Sequence, residues 1–329
     1  MRRNVWSGFA LIAGLLAVSH VFAQGGDVDF AISSQYLKWL AQENSAAVTM
    51  DVQLTGHTKN VHGLAEDCEM HLAGKPIDLT LGSPKSIVVE PPNLCRFAPP
   101  ASLGASWPEL FDSHVMERHC TATGFPRIFT EHASGHEDPA NPNHVFEIHP
   151  ALAISCDGEE ISFRDMLTIF PGMRAIKPSS AQSCATTRTL DVRFKSNRYE
   201  FRQAGGTGCG NFAIIEVGFV EPAWVKAIKG GHTAIARVSL DGTTRTTLKL
   251  YTLAGSKSDE WLAGVLANGQ GDQRIFLHGM FTYDYFSMVK VLKPQGSQTW
   301  KRPTNWTRVP FPIAFVVFGE SDVGPGGEH

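Results

Sequence analysis

The stretch Asn143–Cys156, "NHVFEIHPALAISC", decides how the chain is read. Alternate residues of a β-strand share a face. Val145, Glu147 and His149 therefore look one way, and Phe146, Ile148, Leu152 and Ile154 the other. A polar face backed by an apolar one marks a strand packed on a core from one side. Just upstream, "RHCTATGFPRIFTEH" (118–132) alternates too, and the loop "ASGHEDPANPN" joins the two as a hairpin. If His132 faces His144 across that loop, the same register sets Ile128 opposite Ile148, Pro126 opposite Pro150 and Cys120 opposite Cys156. Opposed strand residues have Cβ atoms ~4.5–5.5 Å apart, so a Cys120–Cys156 disulfide is expected.

Working outward, "VTMDVQLTGHTKNVHG" (48–63), "CEMHLAG" (68–74) and "KSIVVEPP" (85–92) read as strands, and "GASWPELFDSHV" (104–115) as a helix. With the hairpin, the order is β-β-β-α-β-β, that of a five-stranded OB barrel. The second half repeats it. "NFAIIEVGFV" (211–220) is a buried strand, and "HTAIARVSL" and "TTRTTLKLYTL" flank Asp241-Gly242, a hairpin signal for a type I′ turn. "SKSDEWLAGVLANG" (256–269) is a helix begun by Ser256 or Ser258 and ended by Gly269. "RIFLHGMFTY" (274–283) and "SMVKVLK" (287–293) close the set as strands. The fold class is all-β with small helical content, as two tandem OB-like barrels. A sandwich of short strands is the alternative.

The chain opens "MRRNVWSGFALIAGLLAVSHVFAQGG", with Arg2 and Arg3 before an apolar stretch and a small residue at Ala23. That order is a secretory signal peptide over 1–23, with cleavage after Ala23. The apolar run is short for the ~20 residues of a bilayer span, and no later stretch is long enough. An exported protein, periplasmic or extracellular, is expected. All six cysteines follow residue 23, and no C-x-x-C occurs. An even number in an exported chain favours disulfides over zinc or thiol chemistry.

Charge divides the mature chain. Residues 24–184 carry 10 Lys+Arg and 20 Asp+Glu, a net of −10, and residues 185–329 carry 17 and 12, a net of +5. Nine of the 13 histidines lie between His57 and His149, so the acidic half is also the histidine-rich one. The organisation is a leader (1–23), an acidic OB-like domain (24–184), a basic β-rich domain (185–318) that reads as a second barrel, and a disordered tail (319–329). Opposite charge would dock one barrel on the other. The basic run "TRTLDVRFKSNRYEFR" (187–202) interleaves Arg193, Lys195 and Arg198 with Phe194, Tyr199 and Phe201. That pattern suits a nucleic-acid strand, but the modest net charge favours docking, and nucleic acid is not the expected partner.

Glu69 and His71 repeat the Glu-x-His pairing of Glu147 and His149. In an OB barrel the third strand lies between the second and fifth. Glu69, His71, Glu90, Glu147 and His149 then form a stripe on the outer face, with Arg127 and Glu131 beside it. This stripe overlaps the usual OB ligand surface. Imidazole and carboxylate also suit a divalent metal such as zinc, manganese or iron. Strands two apart are ~9.5–10 Å apart, so one Glu-x-His pair with a loop histidine, His132 or His136, is the easier set; the candidate ligands are His71, His132, Glu147 and His149. A solvated polar face would give the same pattern. "GGTGCGN" (205–211) lacks the Lys-Ser/Thr of a phosphate loop and reads as a turn. No G-x-S-x-G elbow marks a nucleophile.

The segments "DCEMHLAG", "IVVEPPNLC", "CTATGFPRIFTEH" and "HVFEIHPALAI" resemble a group of uncharacterised exported bacterial OB-like domains that share a closing E-[IL]-H-P strand. The resemblance covers about residues 50–156. It marks His71, Glu90, Glu147, His149 and Pro150, implies an OB-type barrel, and carries no established activity. The leading expectation is an exported, disulfide-bonded, non-catalytic binding protein that takes an oligosaccharide, peptide or envelope component on the outer face of its first barrel, with no cofactor required. A metal-dependent hydrolase of phosphodiester or similar bonds, with Arg127 or Arg118 stabilising charge, is the second reading. A structural envelope component is the third. The sequence does not fix the oligomeric state.

Overall fold

The computed structural model describes residues 28–135, 137–170, 175–186, 189–203, 212–269, 274–310, 313–322 and 324–325. The leader, His136 and the Gly205–Asn211 motif lie outside these residues. In the first half, β1 (Phe30–Ser33) and α1 (Ser34–Glu43) lead into β2 (Val48–His57), β3 (Leu72–Pro76), β4 (Gly82–Ser83) and β5 (Ser86–Val89). Then come α2 (Trp107–His114), β6 (His119–Ile128), a small hairpin of β7 (Glu137–Asp138) and β8 (Asn141–Pro142), β9 (His144–Cys156) and β10 (Glu159–Ser162). The second half holds α3 (Pro178–Thr186), β11 (Thr189–Lys195), β12 (Arg198–Gln203), β13 (Phe212–Val220), β14 (Lys226–Ile228), β15 (Gly231–Ser239) and β16 (Arg245–Leu253). It ends with α4 (Lys257–Asn268), β17 (Ile275–Tyr283), α5 (Tyr285–Leu292), β18 (Thr307–Pro310) and β19 (Ile313–Glu320). No helix among the described residues is long and apolar enough to cross a membrane.

Two closed five-stranded barrels result. The first runs β2-β3-β5-β9-β6 and back to β2, with β5 and β9 parallel. The second runs β13-β15-β16-β19-β17 and back to β13, with β16 and β19 parallel. Both have the OB strand order, each with its helix between the third and fourth strands. In β2 the alternation is direct: Val48, Met50, Val52 and Leu54 are buried, while Thr49, Asp51, Gln53 and Thr55 are exposed. Barrel closure brings β3 hard against β2 at Gly74, where a Cβ would sit 2.1 Å from the Gln53 carbonyl oxygen. Only glycine fits there.

The fifth strand of the second barrel is β19, whereas "SMVKVLK" forms most of α5. Tyr285, Met288 and Leu292 are buried at helical spacing, so the apolar residues follow a period near 3.6 rather than 2. The strand continues through Glu320, and the Ser321 N–H bonds the Phe276 carbonyl at 2.8 Å, so packed structure extends past the expected limit at 318. The Asp241-Gly242 hairpin forms, but β15 and β16 pair as far as Ser239 and Arg245, leaving a five-residue loop instead of a two-residue type I′ turn. Asp241 holds that loop by accepting from the N–H groups of Thr243 and Thr244.

A third sheet, in the order β18-β11-β12-β1-β4, draws strands from both sides of residue 184. The basic run makes its central hairpin, turning through Ser196 and Asn197, both at positive φ. Three of its four described cations are paired locally. Arg193 and Arg198 bond Glu200, Arg202 and Arg308 bond Asp191, and Arg193 and Arg202 flank the Trp306 ring. Among the described residues, Lys229–Glu43 is the one ion pair across residue 184. The barrels meet through apolar contact and through hydrogen bonds between Ile128 and Thr282 and from Arg127 to the Phe281 carbonyl.

Candidate metal centre

The hairpin register holds at its open end, where Cys120 pairs with Cys156 and the two form a disulfide. Cys68–Cys95 is a second bridge; Cys184 is also bonded, and Cys209 lies outside the described residues. Irregularities around Gly124 then shift β6 against β9, so Pro126 meets Ile148 and Ile128 meets Phe146, in place of Pro150 and Ile148. At the loop end the His144 N–H bonds the His132 carbonyl at 2.9 Å.

Glu69, His71, Glu90, Arg127, Glu147 and His149 do converge, but not on a wet surface. All six are at most 3% exposed. The expected solvent-facing stripe is thus corrected: β13, β17 and β19 of the second barrel cover it. The His149 ring meets Phe212 and Phe318 edge-on, with centroids at 6.2 and 5.9 Å. A groove of about 510 Å³ beside α1, lined by Trp39, Asp51 and Asp78, shares no residue with the cluster.

His149 bridges the carboxylates. Its Nε2 lies 2.9 Å from Glu69 Oε1, and its Nδ1 2.9 Å from Glu90 Oε2 and 3.4 Å from Glu147 Oε2. Burial opposes its charge, but Glu69 and Glu90 hold its pKa well above the ordinary histidine value. Arg127 Nη1 donates to Glu147 Oε2 at 2.7 Å, and Nη2 lies 3.3 Å from Glu131 Oε2. Against burial, Arg127 holds the Glu147 carboxyl down to about 2. Burial likewise works to raise Glu90, yet His149, His71 and His144 keep it well below the usual carboxylate range. Burial prevails at Glu69, pushed up to about 8, and at Glu131, pushed up to about 7. It pushes His132 down to about 4.

A fourth histidine completes the centre. His144 is fully buried, and its Nδ1 donates to the Pro142 carbonyl at 2.7 Å. A carbonyl can only accept, so in the neutral ring Nε2 carries the lone pair. That nitrogen lies 3.6 Å from Glu147 Oε1 and 3.9 Å from Glu90 Oε1. His144 Nε2, Glu90 Oε1 and Glu147 Oε1 all lack a hydrogen-bond partner. With His144 neutral these three atoms face one another as acceptors, an arrangement that a cation among them, a metal ion or a proton on Nε2, relieves. Ligands ~2.0–2.1 Å from a tetrahedral ion lie roughly 3.3–3.4 Å apart, a few tenths of an ångström inside the two distances from His144, and the ligand atoms of the three residues all lie within 4.8 Å of one another. The ring of His132 stacks on His144 at 4.9 Å, and His71 Nε2 is 3.8 Å from Glu90 Oε2.

Of the four residues expected to hold a metal, His71, His132 and Glu147 border this centre. His149 lies with Glu69 and Glu90 in a neighbouring candidate group, and His144 joins Glu90 and Glu147 in this one. Strict alternation hides His144. Between His144 and Phe146, β9 carries one residue more than β5, since Ser86 pairs with His144 and Ile87 with Phe146. This bulge sends Val145 into the apolar core and turns His144 to the face of Glu147. Glu69 and His71 precede β3 rather than lying in it, held by Thr58 N–H to His71 O and His62 N–H to Glu69 O. Arg118 is remote from the centre, paired with Asp157 at the surface. No protein-family model matches the chain, and no curated protein matches it in sequence.

Proposed function

We propose that this is an exported, non-catalytic metal-binding protein, in which Glu90, His144 and Glu147 hold a divalent transition-metal ion at the junction of its two barrels. The observation that carries this reading is the trio of buried, unpartnered ligand atoms at metal-like spacing, with the His144 tautomer set by a backbone carbonyl as in metal sites generally. Charge agrees. Glu69, Glu90, Glu131 and Glu147 carry four negative charges when ionised, against Arg127 and His149. One divalent ion would balance the excess of two once Glu69 and Glu131 are both ionised. The raised Glu69 and Glu131 carboxyls hold protons that such an ion would displace.

Imidazole with two carboxylates suits zinc, manganese or iron. A hydrolytic centre needs an open coordination position that substrate can reach. Glu90, His144 and Glu147 are at most 1% exposed beneath the second barrel, which favours a closed, structural or carrier site. Elemental analysis of the mature protein, purified without a histidine tag or chelator, tests the reading. It should give about one equivalent of metal per chain, absent from a Glu90→Gln/His144→Ala variant that still folds. Trace metal in both proteins refutes it.

A further inference from the structure

A second group of ligating side chains converges nearer the surface. His62, Asp67 and His71 each place one potential ligand atom within 4.8 Å of the others. All three lie on the segment between β2 and β3, which the Cys68–Cys95 disulfide anchors. Asp67 Oδ1 accepts from His62 Nδ1 at 2.7 Å and from the Glu69 N–H at 3.3 Å. An ion held by both residues would take the place of the proton that His62 Nδ1 and Asp67 Oδ1 share.

The group steps inward. Side-chain exposure falls from 27% at His62 and 18% at Asp67 to 4% at His71. Neither ring nitrogen of His71 has a hydrogen-bond partner. Its ring lies 5.0 Å from that of His62, while its Nε2 is 3.8 Å from Glu90 of the buried centre. His71 therefore stands between an outer pair and an inner trio with its own valences unspent.

We infer that His62, Asp67 and His71 form an outer cation site through which the ion is passed to Glu90, His144 and Glu147. The inference rests on reading the buried trio as a metal centre. An ion cannot cross a low-dielectric interior bare, so it must exchange ligands one at a time, and His71 is placed to belong to both sets. Approach from the side of Arg127 is opposed by charge, because its guanidinium lies against Glu147.

Cobalt(II) is a suitable probe, since its visible absorption reports coordination by nitrogen and oxygen. Metal-free mature protein mixed with Co²⁺ should take up one tightly held ion and one weaker ion. His62→Ala and Asp67→Asn should each keep the tight ion, lose the weaker one, and load about tenfold more slowly or worse. Both positions are partly exposed, and equal melting temperatures would establish that the variants fold. A wild type that binds no Co²⁺ refutes the buried centre and the port together. A wild type that binds one tight ion, with both variants loading at its rate, leaves the buried centre standing and overturns the port.

Discussion

Arg127→Met deletes a guanidinium from a position where it serves three acceptors at once. Nη1 meets fully buried Glu147 at 2.7 Å, Nη2 meets Glu131 at 3.3 Å, and Nε donates to the Phe281 carbonyl at 3.0 Å. Methionine keeps much of the side-chain stem, so the loss is mainly electrostatic. Removing one partner of a buried ion pair costs about 3–5 kcal/mol, and the orphaned carbonyl adds about 1 kcal/mol. Part of this is recovered when Glu131, whose carboxyl is already raised, takes up a proton. A net loss of about 4 kcal/mol is expected. Urea unfolding followed by tryptophan fluorescence measures it, and Glu147→Gln in the same background should restore about 1–3 kcal/mol, because a neutral amide no longer needs the cation. A loss below about 1 kcal/mol, or strict additivity in the double variant, would refute a charge-compensated interior at this site.

Three further outcomes follow from the fold. Cys120→Ala/Cys156→Ala opens a bridge with a sequence separation of 36 residues and should cost about 3–4 kcal/mol by chain entropy, read in the same unfolding assay; an unchanged midpoint would contradict this. Gly74→Ala must push β3 off the Gln53 carbonyl and should lose about 2–3 kcal/mol, whereas wild-type stability would show that the barrel seam is not tight. Hydrogen bonds from the backbones of Thr244 and Thr243 hold the exposed Asp241 carboxyl well below its ordinary range. A folded pKa below the unfolded one gives stability that is complete above the unfolded value, ~3.9, and is lost as pH falls toward the folded one. The melting gap between wild type and Asp241→Ala should therefore be steady from about pH 5 to pH 8 and shrink below about pH 4. A gap that persists undiminished to about pH 2 would rule the carboxylate cap out.

The first barrel is legible because its signals are local. The 118–156 hairpin carries enough local signal to pair Cys120 with Cys156 at its open end, although irregularities around Gly124 displace the register beyond it. Helices α2 and α4 carry serine caps at Ser106 and Ser256 that can be read directly. Legibility ends where a long-range contact decides. Tyr285–Leu292 has both β-forming residues and a helical spacing of apolar ones, and only β19 filling the fifth barrel position settles the choice. The Glu-x-His stripe is polar and alternating, so sequence alone assigns it to solvent. Nothing local says that Phe212, His278 and Phe318 of the other barrel will cover it. His144 is hidden for a different reason. A single extra residue in β9 inverts the parity on which every facing assignment rests, and no turn residue announces that bulge.

A cation among Glu90, His144 and Glu147 would be seen by anomalous diffraction at the absorption edge of the metal found in the purified protein. One strong peak should lie about 2.0–2.2 Å from His144 Nε2 and from a carboxylate oxygen of each glutamate. A peak confined to the protein surface, or none within the inter-barrel junction of a well-ordered crystal, would contradict it.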